Sequence, residues 1–119
     1  MLEILFVHPD DRLSSLYRQR LMAHFKVHTA SDGLSAVRKI RAYSPKLIIS
    51  DYHLPFISGK SLIRFVRNFK PTAFSPFIFL SSADFDGDVL GLGANDWIPL
   101  SSASPDLIIE KTYYYLKLK

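Results

Sequence analysis

Five short apolar runs recur along the chain, Ile4 to Val7, Val27 to Thr29, Leu47 to Ser50, Phe77 to Leu80 and Trp97 to Leu100, and stretches of helical periodicity separate them. Runs of this length read as buried strands, and their alternation with helices is satisfied by a parallel sheet with crossover helices on both faces. With 119 residues, 48% of them hydrophobic, the chain is long enough for one core and too short for two ordinary domains. Residues 1–119 are therefore expected to form a single domain.

The helices between these runs differ in quality. The first starts near Asp10, an N-cap type, and turns Leu13, Leu16, Tyr17 and Leu21 inward. The second starts at Asp32-Gly33, puts Leu34, Val37 and Ile40 on its core side and ends before Ser44-Pro45. The third runs from about Ser58 to Asn68. Between Ser81 and Trp97, glycines at 87, 91 and 93 leave room for only one or two frayed turns. The fifth helix has Ser104 as cap, Pro105 at its first position and Asp106 to complement the dipole, and it is expected to run to the C-terminus. Pro99 lacks a ladder donor, which assigns the last strand to a sheet edge. The order 2-1-3-4-5 of a three-layer flavodoxin-like fold satisfies that requirement.

In this order the first and third strands flank the switch point, where ligands usually bind. The third apolar run ends on Asp51, and the chain then breaks at Pro55 and Gly59, so the carboxylate is expected at the mouth of the sheet. The loop after Val7, with His8, Pro9, Asp10 and Asp11, converges on it. No Gly-rich phosphate loop follows Val7, and no nucleophile-elbow motif or metal-ligand cluster of recognisable spacing is present, which argues against an enzyme or nucleotide binder.

Composition narrows the remaining classes. Without cysteines there is neither a disulfide framework nor a thiolate metal site. The N-terminal run is strand-length and interrupted by Glu3, unlike a secretory or membrane segment, so a soluble cytoplasmic protein is expected. A net charge of +4 permits contact with an acidic partner, but Lys60, Arg64 and Arg67 fall on one stripe of the third helix, opposite Leu62, Phe65, Val66 and Phe69, and read as a solvated face.

The segments Ala30-Ser31-Asp32-Gly33-Leu34-Ser35-Ala36, Pro45 to Asp51, Asp51 through Leu54-Pro55 to Gly59, and Gly93-Ala94-Asn95-Asp96-Trp97 together resemble the response-regulator receiver domain of two-component signalling. The likeness extends over essentially the whole chain. It implies a non-enzymatic signalling domain in which Asp51 accepts a phosphoryl group from a partner histidine kinase, Ser81 donates to the phosphoryl oxygens and Trp97 is the aromatic switch residue. Such chemistry needs a positioned carboxylate, a divalent cation and oriented donors.

Two parts of the family pattern are missing. Where receivers carry consecutive acidic residues after the first strand, this chain has His8 and Pro9, and Asp10 reads as a helix cap. Their lysine and proline near the fifth strand fall on Leu100 and Ser101. Any metal site would rest on Asp10 and Asp51, so Mg²⁺ binding is expected to be weak or absent. Losing both acids and the lysine relieves charge crowding, and a protonated His8 or His53 becomes the candidate counter-charge for Asp51.

Two functions follow: a phosphoacceptor receiver with impaired metal and lysine support, or a pseudo-receiver that binds partners without phosphorylation. The expected partners are a histidine kinase or another signalling protein. The last helix carries more apolar and tyrosine side chains than one core-facing stripe can bury, so a homodimer through the fifth strand and fifth helix is expected. Nucleic acid would be reached only through a separate output domain, and no membrane contact is expected.

Overall fold

In the computed structural model, which describes residues 1–118, the runs with fewest polar side chains lie in the middle of the sheet. Strands β1 (Glu3–Val7), β2 (Lys26–Ala30), β3 (Leu47–Ser50), β4 (Phe77–Ser81) and β5 (Asp96–Pro99) are all parallel, in the order β2-β1-β3-β4-β5. Strands β1, β3 and β4 are covered on both faces, as expected for near-continuous runs of Ile, Leu, Val and Phe. Pro99, which cannot donate to a ladder, lies in the edge strand β5.

The helices are α1 (Asp11–Leu21), α2 (Gly33–Tyr43), α3 (Gly59–Asn68), α4 (Asp88–Gly91) and α5 (Pro105–Tyr115). Helices α2, α3 and α4 cover one face, where Ala36, Ile40, Leu62, Ile63, Val66 and Val89 meet Leu5, Val7, Ile48, Phe77 and Phe79. Helices α1 and α5 cover the other, with Tyr17, Leu21 and Ile108 against Ile4, Phe6, Ile49 and Leu80. Asp10, Asp32, Ser58 and Ser104 each accept from backbone N–H groups of the turn they start. A cap of this kind contributes about 1 kcal/mol. Among the described residues no helix is long and apolar enough to cross a membrane.

Several expectations need correction. Leu16 and Leu34 are exposed, while the small Ser14 and Ala36 face the sheet, because short side chains let a helix approach a sheet closely. Leu100 is not part of β5; it opens a 3-10 turn, Leu100–Ser102. Helix α5 stops at Tyr115. Lys117 adopts a left-handed conformation, and the Leu118 N–H folds back onto the Tyr113 carbonyl, a Schellman closure that ends the helix.

The basic stripe of α3 is not simply solvated. The half-buried Arg67 guanidinium donates to the carbonyls of Ser75 (2.6 Å) and Gly93 (2.8 Å) and to Asn95 Oδ1, tying α3 to both loops around β4. Lys60 pairs with Asp86 (3.1 Å) and Asp88 (3.2 Å). Arg67→Ala leaves those carbonyls without their donor and should lower stability by about 2–3 kcal/mol in urea unfolding. Arg67→Lys should recover only part of the loss, because an ammonium cannot reproduce the guanidinium fork.

Candidate functional site

Parallel pairing brings the tips of β1 and β3 together. Val7 is in register with Ser50, and the ladder continues one step further as the Asp51 N–H donates to the Val7 carbonyl. On the other side of β1 the His8 N–H donates to the Ala30 carbonyl of β2. His8 and Asp51 therefore leave adjacent strands as neighbours, and both are buried, at 6% and 7% exposure.

One oxygen of the Asp51 carboxylate is held by donors of the chain itself. Oδ1 accepts from the Tyr52 N–H at 2.7 Å and from Ser81 Oγ at 2.5 Å. Ser81 Oγ accepts in turn from the Ala83 N–H, which leaves its own proton for Asp51. Oδ2 faces His8 Nε2 at 3.5 Å.

The state of His8 follows from its other nitrogen. Nδ1 accepts from the Asp10 N–H at 3.1 Å, so the neutral ring carries its proton on Nε2, the atom turned toward Asp51. Protonating Nδ1 would set two donors against each other. Burial lowers the His8 pKa below its ordinary value, and the negative charges of Asp51 and Asp10 offset this only in part. His8 Nε2 lies 3.5 Å from Asp51 Oδ2 without a hydrogen bond to it, and burial disfavours the protonated form that the counter-charge expected from sequence requires.

The other expected residues lie as follows. His53 is exposed, its ring edge-on to Tyr52, and no ion pair joins it to Asp51. Asp10 Oδ1 accepts from the N–H groups of Arg12 and Leu13 and caps α1. Trp97 is half-buried between Phe79, Tyr52 and Phe85, with ring centroids 5.3, 5.2 and 5.5 Å away. Of the residues on α5, Tyr113 bonds His24 and Tyr115 bonds Asp96, which leaves Tyr114 as the exposed tyrosine.

The sequence reading did not single out Tyr52. Its backbone N–H holds Asp51, its ring lies against Trp97, and its hydroxyl donates to Asp86 Oδ2 at 2.5 Å. That bond, with the Asp88 N–H and Lys60, holds the Asp86 carboxyl down to about 2, and it raises the Tyr52 phenol. A tyrosine directly after a strand-end aspartate was the available signal. Its partner lies 34 positions away, across a loop whose course the sequence did not specify.

No family model matches the chain. The phosphate regulon transcriptional regulatory protein PhoB of Rhizobium meliloti is 33% identical over 110 residues, which cover 89% of this chain and 48% of PhoB. The chain thus spans about half the length of that curated relative, and less of several others. Among solved structures, chemotaxis response regulator CheY4 of Vibrio cholerae superposes with a TM-score of 0.88 at 23% identity, covering 97% of this chain and 98% of that one. The receiver domain of sensor histidine kinase PA1611 from Pseudomonas aeruginosa gives 0.86 at 23% identity, covering 98% of each chain, and has a magnesium ion coordinated in its active-site cleft.

The side chains here offer such an ion few oxygens. Magnesium takes oxygen ligands in a near-octahedral shell. The cleft offers it the Asp51 carboxylate, but a proton-bearing nitrogen faces Oδ2, Pro9 has no side-chain oxygen, and Asp10 is engaged in its cap. A bare Nε2 would require a proton on Nδ1, against the Asp10 N–H. Among the described residues no three His, Asp or Glu side chains converge as a metal group.

NMR titration should find the His8 imidazole titrating below 6.5, its ordinary value. Asp51→Asn should lower it further by removing a favourable negative charge; equal midpoints in both proteins would rule out the contact. The linked effect on stability has a definite sign. As pH falls below 6.5 the unfolded chain takes up the proton before the folded one, so the stability due to neutral His8, fully present above that pH, is lost toward the lower folded value. His8→Gln should therefore flatten the fall in unfolding free energy between about pH 7 and 5.

Proposed function

We propose that this chain, a receiver domain of the two-component response-regulator type, signals through protein contacts around an Asp51 that the chain's own donors hold, and accepts phosphoryl groups poorly. The observation that carries the reading is the buried His8 imidazole, whose Nε2 stands 3.5 Å from Asp51 Oδ2 without a hydrogen bond to it. Phosphoryl transfer to a carboxylate brings anionic oxygens together, and its rate depends on a cation placed between them. A neutral imidazole supplies no charge, and Leu100 and Ser101 supply none near β5. Each missing charged donor of this kind costs roughly 100-fold in rate.

A second reading has one specific observation in its favour. Ser81 keeps a hydroxyl 2.5 Å from Asp51 Oδ1, where it could turn to a phosphoryl oxygen. In that case Asp51 attacks the phosphorus of a donor, the donor's leaving group departs with its bonding electrons, and the acyl phosphate is held by Ser81 and backbone N–H groups alone. The partners in either reading are a histidine kinase or another signalling protein.

Incubation with acetyl phosphate and Mg²⁺ followed by intact-mass measurement tests the proposal. The expected outcome is no adduct on the timescale of minutes, and no change when Mg²⁺ is omitted. A rapid magnesium-dependent adduct that disappears in Asp51→Ala would overturn it. The combined replacement His8→Asp, Pro9→Asp and Leu100→Lys should create magnesium-dependent labelling, because it supplies the missing oxygens and ammonium together.

A further inference from the structure

Charge is segregated along this chain to an unusual degree. From Gly33 to Ala83 there are eight Lys and Arg side chains and one carboxylate, the buried Asp51; from Asp84 to Asp96 there are four carboxylates and no Lys or Arg. In space the first segment supplies α2 and α3, and the second forms the loop, α4 and the start of β5. Helix α3 abuts the acidic segment through Lys60 and Arg67, whereas α2 lies over β1 and β2, so the α2 cations stand at the opposite end of the sheet from α4.

Each zone also displays apolar side chains. On the basic side Phe56 is 83% exposed and has a φ of 69°. The Ile57 N–H donates to the Pro55 carbonyl around it, a γ-turn of the strained hand that holds the ring out in solvent. A second bond, from the Gly33 N–H to the same carbonyl, fixes this turn beside the start of α2. There Leu34, Arg38 and Arg41 are exposed at i, i+4 and i+7, one stripe of the helix. Among the described residues no ion pair reaches Arg38, Arg41 or the neighbouring Arg64.

On the acidic side a groove of about 400 Å³ is lined by Phe85, Leu90, Trp97 and Pro99 together with Asn95 and Asp96. Phe85 and Leu90 are both more than half exposed. Asp84 lines an adjoining cleft that shares Phe85, Trp97 and Pro99, and although Lys60 and Lys111 approach Asp86, Asp88 and Asp96, two lysines do not balance four carboxylates. The groove exists because α4 is a single turn, too short to roof the rings of Phe85 and Trp97.

We propose that these two zones are the halves of a head-to-tail contact between copies of this chain, with Phe56 and Leu34 of one copy seated in the Phe85–Leu90–Trp97 groove of the next. Arg38 and Arg41 then face the carboxylates around that groove. The occupant is a second copy because the chain carries both complementary surfaces, apolar projection with cations and apolar groove with anions, on residues that do not overlap. The contact does not depend on whether Asp51 takes up a phosphoryl group.

Sedimentation velocity of the whole chain over a concentration series, at low and high salt, tests the contact. At about 50 mM salt the mass should rise with concentration, and at about 500 mM the rise should be strongly reduced, because the Debye length falls well below the spacing of the charges. Phe56→Asn, which keeps a residue suited to the left-handed turn, and Asp84→Lys should each leave the protein monomeric with unchanged circular dichroism. An equal mixture of the two should associate again, since each contributes the surface the other has lost. A wild-type monomer throughout, association indifferent to both substitutions, or association lost only in Tyr114→Ser would overturn the proposal.

Discussion

The site depends on the in-register parallel pairing of β1 with β3. Because Val7 lies beside Ser50 and the ladder carries on through the Asp51 N–H, residues 8 and 51 have no choice but to emerge together. Whatever occupies position 8 becomes the immediate environment of the carboxylate. A second acid there would repel it unless a cation intervened. A buried imidazole whose charged form is disfavoured adds no such repulsion. The register thus converts a local change after β1 into a change in the chemistry available to Asp51.

The parts of this arrangement that depend on pattern were legible in the sequence. The edge position of the last strand followed from Pro99 and agreed with the flavodoxin-like order, and the caps at Asp10, Asp32 and Ser104 followed from residue type and position. The convergence of His8 on Asp51 followed from the order of the strands. Other features depend on distances that no periodicity encodes. Leu16 and Leu34 have the spacing of core residues, yet the closest approach of helix to sheet falls on Ser14 and Ala36, which take the inward positions. The protonation of His8 could not be read from its identity, since burial disfavours the charged ring and the Asp10 N–H two residues away occupies Nδ1.

Tyr52 shows why a site can extend beyond its motif. It touches Asp51 through its backbone, Trp97 through its ring and Asp86 through its hydroxyl. The acid, the aromatic on β5 and the segment leading into α4 therefore share one residue, which links the three directly. Arg67 serves a related purpose on the far side of α3, where it clamps the loops before β4 and β5. Arg67, which a helical wheel assigns to water, is here structural, because its guanidinium reaches backbone carbonyls of both loops.

The two rims of the sheet have a further consequence. A parallel sheet ends in rows of unmet amide groups, and an extended segment from another molecule can add to them and begin a fibril. Here β5 is four residues long and ends on Pro99, while β2 starts at the charged Lys26 and has His28 covered by the stacked ring of Tyr43. Neither margin offers a long, flat, uncharged template. A chain with so apolar a centre is thereby protected against strand-by-strand accretion, the failure to which such centres are most exposed during folding.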